Sequence, residues 1–228
     1  MARGLFISFE GGEGSGKSTQ ITLLKNWLAQ RVPAAEIVLT REPGGTEQSE
    51  QIRDMLVRGA ADKFTARTEA LLMIAARTEL VSQVIAPALK KGQIVVSDRF
   101  RDSTSVYQGL AHQISVAALD RLHDFAIDGL KPDITFLLDM PAEGGLRRAL
   151  KRMGTPACEG AGDETRFEEK GLDFHQRVRA GFLTLAKAEP TRIHKIDATG
   201  DVGDVHHAIT DILAPLLDRI QNEEKADG

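Results

Sequence analysis

The residues best equipped for chemistry stand near the N-terminus, in Gly11-Gly12-Glu13-Gly14-Ser15-Gly16-Lys17-Ser18. They follow the apolar run 5–9 directly and match the spacing G-x-x-x-x-G-K-[ST]. Glycines at this spacing let successive backbone N–H groups turn inward around a polyphosphate. The start of a following helix, which includes Thr19, adds partial positive charge. Lys17 would reach the β- and γ-phosphates of a nucleoside triphosphate, and the Ser18 hydroxyl would ligate Mg²⁺. A second set closes the apolar run 94–97 as Asp98-Arg99-Phe100. An aspartate ending a strand beside a phosphate-loop strand would hold the metal directly or through water, and a planar guanidinium suits a two-pronged grip on phosphate. A plain ion pair between Asp98 and Arg99 is the alternative. The run 37–40 leads into Arg41-Glu42-Pro43-Gly44-Gly45-Thr46, a turn by its Pro-Gly chemistry.

Five short apolar runs, 5–9, 37–40, 94–97, 134–139 and 193–197, recur between longer helical patterns. They are rich in Ile, Val, Leu and Phe without clean alternation, as strands buried on both faces should be. Ile21, Leu24 and Leu28 share one stripe of 18–30, and Ile52, Met55 and Leu56 one stripe of 47–57. Thr65 caps a further helix carrying Leu71, Ile74, Leu80, Val81, Val84 and Ile85, which Pro87 should kink or end and Gly92 should stop. Val116, Leu119 and Leu122 mark another, and the last spans 202–220. Strands alternating with helices predict an α/β fold of the P-loop NTPase type. It has a five-stranded parallel sheet, helices on both faces and ligands at the carboxyl ends of the strands. The whole of 1–228 reads as one domain, with a short basic lid at about 143–168 and a frayed acidic tail at 223–228.

Composition narrows the classes. The 228 residues are 42% hydrophobic and 27% charged, enough apolar content for a sizeable core, which excludes disorder and a disulfide scaffold. Lys and Arg number 29 against 33 Asp and Glu, a net charge of −4, so duplex binding is not the expected job. No apolar run approaches the ~18–20 residues of a membrane span, and the N-terminus lacks a secretory signal. With the lone Cys158 this points to the cytosol. The six histidines show no metal-ligand spacing. A guanine-specific switch would carry Asn-Lys-x-Asp, but neither Asn26 nor Asn222 precedes a lysine. A transport ATPase would carry an LSGGQ-like signature, which is absent. A phosphotransferase with a second, acceptor nucleotide remains.

The chain resembles the thymidylate kinase family. The resemblance rests on Phe9-Glu10-Gly11-Gly12-Glu13-Gly14, Thr40-Arg41-Glu42-Pro43-Gly44-Gly45-Thr46, Ala75-Ala76-Arg77 and the segment 98–109, and runs on to Ile196-Asp197-Ala198-Thr199. It implies transfer of the γ-phosphate of ATP, with Mg²⁺, to dTMP by a homodimer packed through helices near 65–86. It implies that Glu13 lies near the acceptor sugar and metal, and that Arg53 and Arg99 meet the acceptor phosphate. Glu42 and Pro43 would border the acceptor, and Arg77 would contact a thymine carbonyl. Thr104 and Gln108 would lie near the base and Tyr107 by the deoxyribose. Two positions depart from the family pattern. Met73 stands where a phenylalanine usually stacks on thymine, and the stretch 153–164 is longer than the compact family lid, with Thr165 replacing an acidic residue of its closing motif. Of the basic cluster Arg147, Arg148, Lys151 and Arg152, the reading assigns Arg152 to the ATP phosphates, with Arg148 second and Arg166 the fallback.

Overall fold

The computed structural model describes residues 4–60, 62–153 and 171–226. The apolar runs form strands β1 (Phe6–Glu10), β2 (Ile37–Arg41), β3 (Ile94–Asp98), β4 (Ile134–Asp139) and β5 (Ile193–Asp197). They pair in parallel in the order β2-β3-β1-β4-β5. β1 is buried throughout, and β3 and β4 are buried up to their last residue, which explains their mostly apolar character without clean alternation. β2, at the edge, is only half-buried.

Both faces of the sheet are covered. Ile21, Leu24 and Leu28 of α1 (Lys17–Arg31) and Ile209, Leu213 and Leu217 of α9 (Val202–Ala226) pack on one face. Leu80, Val81, Ile85 and Leu89 pack on the other against Phe6, Val95 and Phe100. They belong to the stretch formed by α3 (Ala66–Leu80), a π-helical turn (Val81–Ile85) and α4 (Ala86–Lys90). By length and composition Ala66–Lys90 could cross a membrane, but in this fold its apolar side chains cover the sheet. Pro87 was expected to kink or end this helix, yet the helical stretch runs through it. The Ala86 N–H donates to the Val81 carbonyl, five residues back, so the hydrogen-bond pairing has already shifted one residue ahead of the proline. Gly92, at φ 74°, then stops it as expected.

The remaining helices are α2 (Glu47–Val57), α5 (Arg101–Thr104) running into a second π-helical turn (Ser105–Leu110), α6 (Val116–Ile127), α7 (Ala142–Met153) and α8 (Leu172–Ala188). Thr46 and Thr65 cap α2 and α3, each accepting the N–H three residues on. α8 was not anticipated, although Phe174, Val178 and Phe182 recur every four residues and pack against Tyr107, Leu137 and Ile193. The expected frayed tail is helical along its backbone as far as Ala226.

Just before β5, Arg192 forks the Asp102 carboxylate at 2.7 and 2.9 Å and also donates to Thr135 and Glu189. The two side chains are only 10% and 6% exposed. Removing one partner of a buried pair strands the other charge out of water. Asp102→Ala is therefore expected to lower stability by about 3 kcal/mol or more. Asp54→Ala, which breaks the exposed Arg58–Asp54 pair, should change it by less than about 0.5 kcal/mol. Urea unfolding monitored by circular dichroism measures both, and equal losses would mean that the buried pair is not holding the fold.

Candidate active site

The carboxyl ends of β1 and β3 meet because Phe9 lies opposite Asp98 in the register. The loop after β1 and the turn after β3 therefore share one corner. In the loop, Lys17 folds back and donates to the carbonyls of Gly11 at 3.1 Å and Gly12 at 3.0 Å. Burial, with Arg99 close by, lowers the affinity of its amine for the proton. Ser15 is buried, while Gly16, Ser18 and Thr19 are exposed at the start of α1. Gly14 has φ 67°, and a side chain there would meet the Gly145 carbonyl of α7 at 2.1 Å. A side chain on Gly145 would meet the Glu13 carbonyl at 2.3 Å. The phosphate loop is thus seated directly on the first turn of α7, and neither glycine can be replaced without moving the other segment.

Ser18 and Asp98 come together, with Ser18 Oγ donating to Asp98 Oδ2 at 3.4 Å. The other carboxylate oxygen, Oδ1, is buried without a hydrogen-bond partner. An oxygen-only pair with one unsatisfied carboxylate oxygen beside a phosphate loop fits a hard divalent cation such as Mg²⁺. No group of three or more His, Cys, Asp or Glu side chains arranged to hold a metal occurs among the described residues.

Arg99 joins the two halves of the corner. Nη2 donates to Glu13 Oε1 at 2.6 Å, and Nη1 donates to the Gly11 carbonyl at 3.1 Å and to Ser103 Oγ at 3.2 Å. Tyr107 donates its hydroxyl to the same Glu13 oxygen at 3.0 Å, and its ring lies 5.2 Å from the guanidinium. Burial alone would raise the Glu13 carboxyl, but the charges of Arg99 and Lys17 outweigh it and hold Glu13 at about 2. Glu13 is therefore an anion at any working pH.

A second buried cluster surrounds Arg77, which is 2% exposed. Nε and Nη2 fork Glu42, Nη2 also reaches Thr104 Oγ1 at 3.1 Å, and Nη1 lies 2.7 Å from His123 Nε2. Burial and the charges of Arg77 and Arg101 hold His123 down at about 2, so the imidazole is neutral and Nε2 accepts from Arg77. Gln108 donates to Glu69 at 3.3 Å, and Met73, half-buried, sits one turn before Arg77 on α3. Arg53 donates to the Pro43 carbonyl at 3.0 Å. The anticipated residues thus gather at one end of the sheet, although Thr104 and Gln108 bond to protein partners. Arg148 donates to the Ala198 carbonyl at 3.3 Å. The side chain of Arg152, and Cys158, Thr165, Arg166 and most of the lid, lie outside the described residues.

Sequence reasoning missed Glu10, Ser103, His123 and Gly145. Glu10 had a signal, an acid closing a mostly apolar strand; burial and then the Asp102 charge push it up to about 8, against the hydrogen bond from Ser103. His123 sits on the inner stripe of α6 between Leu119 and Ile127, where its spacing is that of a core residue.

The family model described as Thymidylate kinase matches residues 9–209. The chain is 46% identical over 219 residues to the thymidylate kinase of Caulobacter vibrioides, covering 95% of this chain and 99% of that one. It is 46% identical over 213 residues to that of Jannaschia sp., covering 93% and 97%. Among solved structures, thymidylate kinase from Ehrlichia chaffeensis superposes with a TM-score of 0.73 at 35% identity, covering 93% of this chain and 99% of that one. With the nucleotide loop, the parallel sheet and both arginine clusters in hand, these matches establish that the chain belongs to the thymidylate kinase family.

Proposed function

We infer that the chain transfers the γ-phosphate of ATP to dTMP, giving dTDP and ADP, at the corner between the ends of β1 and β3. One observation carries the assignment of roles: Arg99, on the acceptor side, bonds both to Glu13 and to the Gly11 carbonyl of the phosphate loop. A guanidinium so held can grip an acceptor phosphate against the donor without reorganising. In this reading ATP lies along Gly11–Ser18, including Gly12, Glu13, Gly14, Ser15, Gly16 and Lys17, with Thr19 and Arg148 flanking it. Arg99 and Arg53 take the dTMP phosphate. Arg77 and Met73 face the thymine, with Thr104, Gln108, Glu42 and Pro43 around them, and Tyr107 packs by the deoxyribose.

Ser18 and Asp98 would hold Mg²⁺, which would supply positive charge to neutralise the donor phosphates. A phosphate oxygen of dTMP attacks the γ-phosphorus while the bond from that phosphorus to the β-bridging oxygen breaks. A phosphate monoester acceptor needs no general base. Lys17, Arg99 and a lid arginine, Arg152 in this reading, spread the developing charge. The same reading has the chain working in the cytosol as a homodimer. Leu71 on α3 and Phe125 on α6, 56% and 90% exposed on helices that pack together, support an apolar interface there.

Three measurements test it. In a coupled assay with ATP and a panel of nucleoside monophosphates, dTMP should turn over fastest; preference for a purine monophosphate would overturn the assignment. Lys17→Ala should lower kcat by ~10²–10³-fold at an unchanged melting temperature, the scale of removing one preorganised donor from a developing charge. Arg77→Lys keeps a positive charge against Glu42 but removes the planar fork. It should raise the KM for dTMP about tenfold or more while leaving the KM for ATP near its original value. Equal shifts in both constants would make Arg77 purely structural.

A further inference from the structure

Glu10 is fully buried, one residue before the phosphate loop, and nothing in the transfer chemistry above uses it. Its Oε1 accepts the Phe100 N–H at 2.8 Å, and its Oε2 accepts from the Ser103 hydroxyl at 2.6 Å. Because Ser103 has only one proton, giving it to Glu10 leaves the Ser103 lone pairs to accept from Arg99 Nη1. With Glu10 ionised, the direction of the whole chain, Arg99 to Ser103 to Glu10, is thereby fixed. The backbone is bracketed as well. Arg99 has φ 68°, the left-handed region that non-glycine residues rarely adopt. Its own N–H donates to the Phe9 carbonyl at 2.9 Å, and the next N–H goes to Glu10. Two consecutive residues of β1 thus hold the turn from which Arg99 projects.

We propose that Glu10 is a positioning residue for phosphoryl transfer: through Ser103 and the Phe100 N–H it fixes the guanidinium of Arg99 at the junction of the two substrates. Only a carboxylate can accept both bonds together. A glutamine of the same shape must turn its NH₂ toward one of the two donors, so Glu10→Gln preserves packing and breaks the chain. The inference rests on Arg99 gripping the acceptor phosphate, which Arg99→Ala tests separately.

The experiment is steady-state kinetics on the full-length chain with ATP and dTMP, at a pH alkaline enough for Glu10 to be ionised. It compares Glu10→Gln, Ser103→Ala, the double variant and Arg99→Ala, with melting temperatures for each. Positioning predicts that Glu10→Gln and Ser103→Ala each lower kcat/KM for dTMP by about tenfold or more, the scale of a slightly misplaced catalytic group. The KM for ATP should stay unchanged. The double variant should be no worse than the poorer single one, since both break one chain. Lowered melting temperatures with intact kinetics would overturn the proposal, as would losses that multiply in the double variant. If Glu10→Gln does not fold, Ser103→Ala decides alone by the same split between the dTMP and ATP constants. A harmless Arg99→Ala would remove the underlying reading and this inference together. A crippling Arg99→Ala beside a harmless Ser103→Ala would remove the inference only.

Discussion

The register of β1 against β3, with Phe9 opposite Asp98, decides which side chains meet at the carboxyl ends of the two strands. In a strand successive side chains point to opposite faces, so a slip of one residue would turn Asp98 away from Ser18 and aim Val96 at the wrong face of the sheet. Two apolar cores resist such a slip. Val95 packs with Phe6 and Phe100 on one face, while Val96 packs with Ile7 and Phe9 on the other. Hydrophobic burial therefore fixes the register, and the register delivers the chemistry. The phosphate loop, Asp98 and Arg99 sit together because the strands that end in them cannot slide.

Charge at this corner is organised by mutual satisfaction. Arg99 pairs with Glu13, and Arg77 with Glu42, each inside the protein where an unpaired ion would be costly. The pairing also gives each guanidinium a fixed orientation before any nucleotide arrives. Catalysis of phosphoryl transfer rests on positioning and charge, so groups held in advance need little rearrangement in the transition state. Tyr107 contributes to the same economy of motion. Burial raises its phenol well above the ordinary range, so it remains a hydroxyl that can donate to Glu13.

Much of this was legible before the fold was seen. The glycine spacing and Lys17 announced the phosphate loop, and the buried parallel strands were visible as unalternated apolar runs. Their order in the sheet follows from pairing, which no local pattern encodes. Asp98 and Arg99 were found because they close a strand. His123 was not, since a neutral histidine on an apolar helix stripe looks like any core residue until Arg77 is seen against it. The Asp102–Arg192 fork joins positions ninety apart, and neither has a spacing that betrays the other. Gly145 escaped notice because its constraint is the backbone of a loop far away in sequence. The π-helical turn just ahead of Pro87 had no signal, because such a turn is a property of three-dimensional packing more than of composition.

The contact between Gly14 and Gly145 makes the first turn of α7 a wall of the glycine-rich loop. From that contact to Met153 the helix is a stiff arm of roughly 12 Å, at about 1.5 Å per residue. A rotation of about 20° there would carry the far end, where the basic residues cluster, by about 4 Å for a rod of that length. The length of α7 thus sets how far a shift at that contact would carry positive charge, against the anchors that buried Ala149 and the Arg148 bond to the Ala198 carbonyl provide.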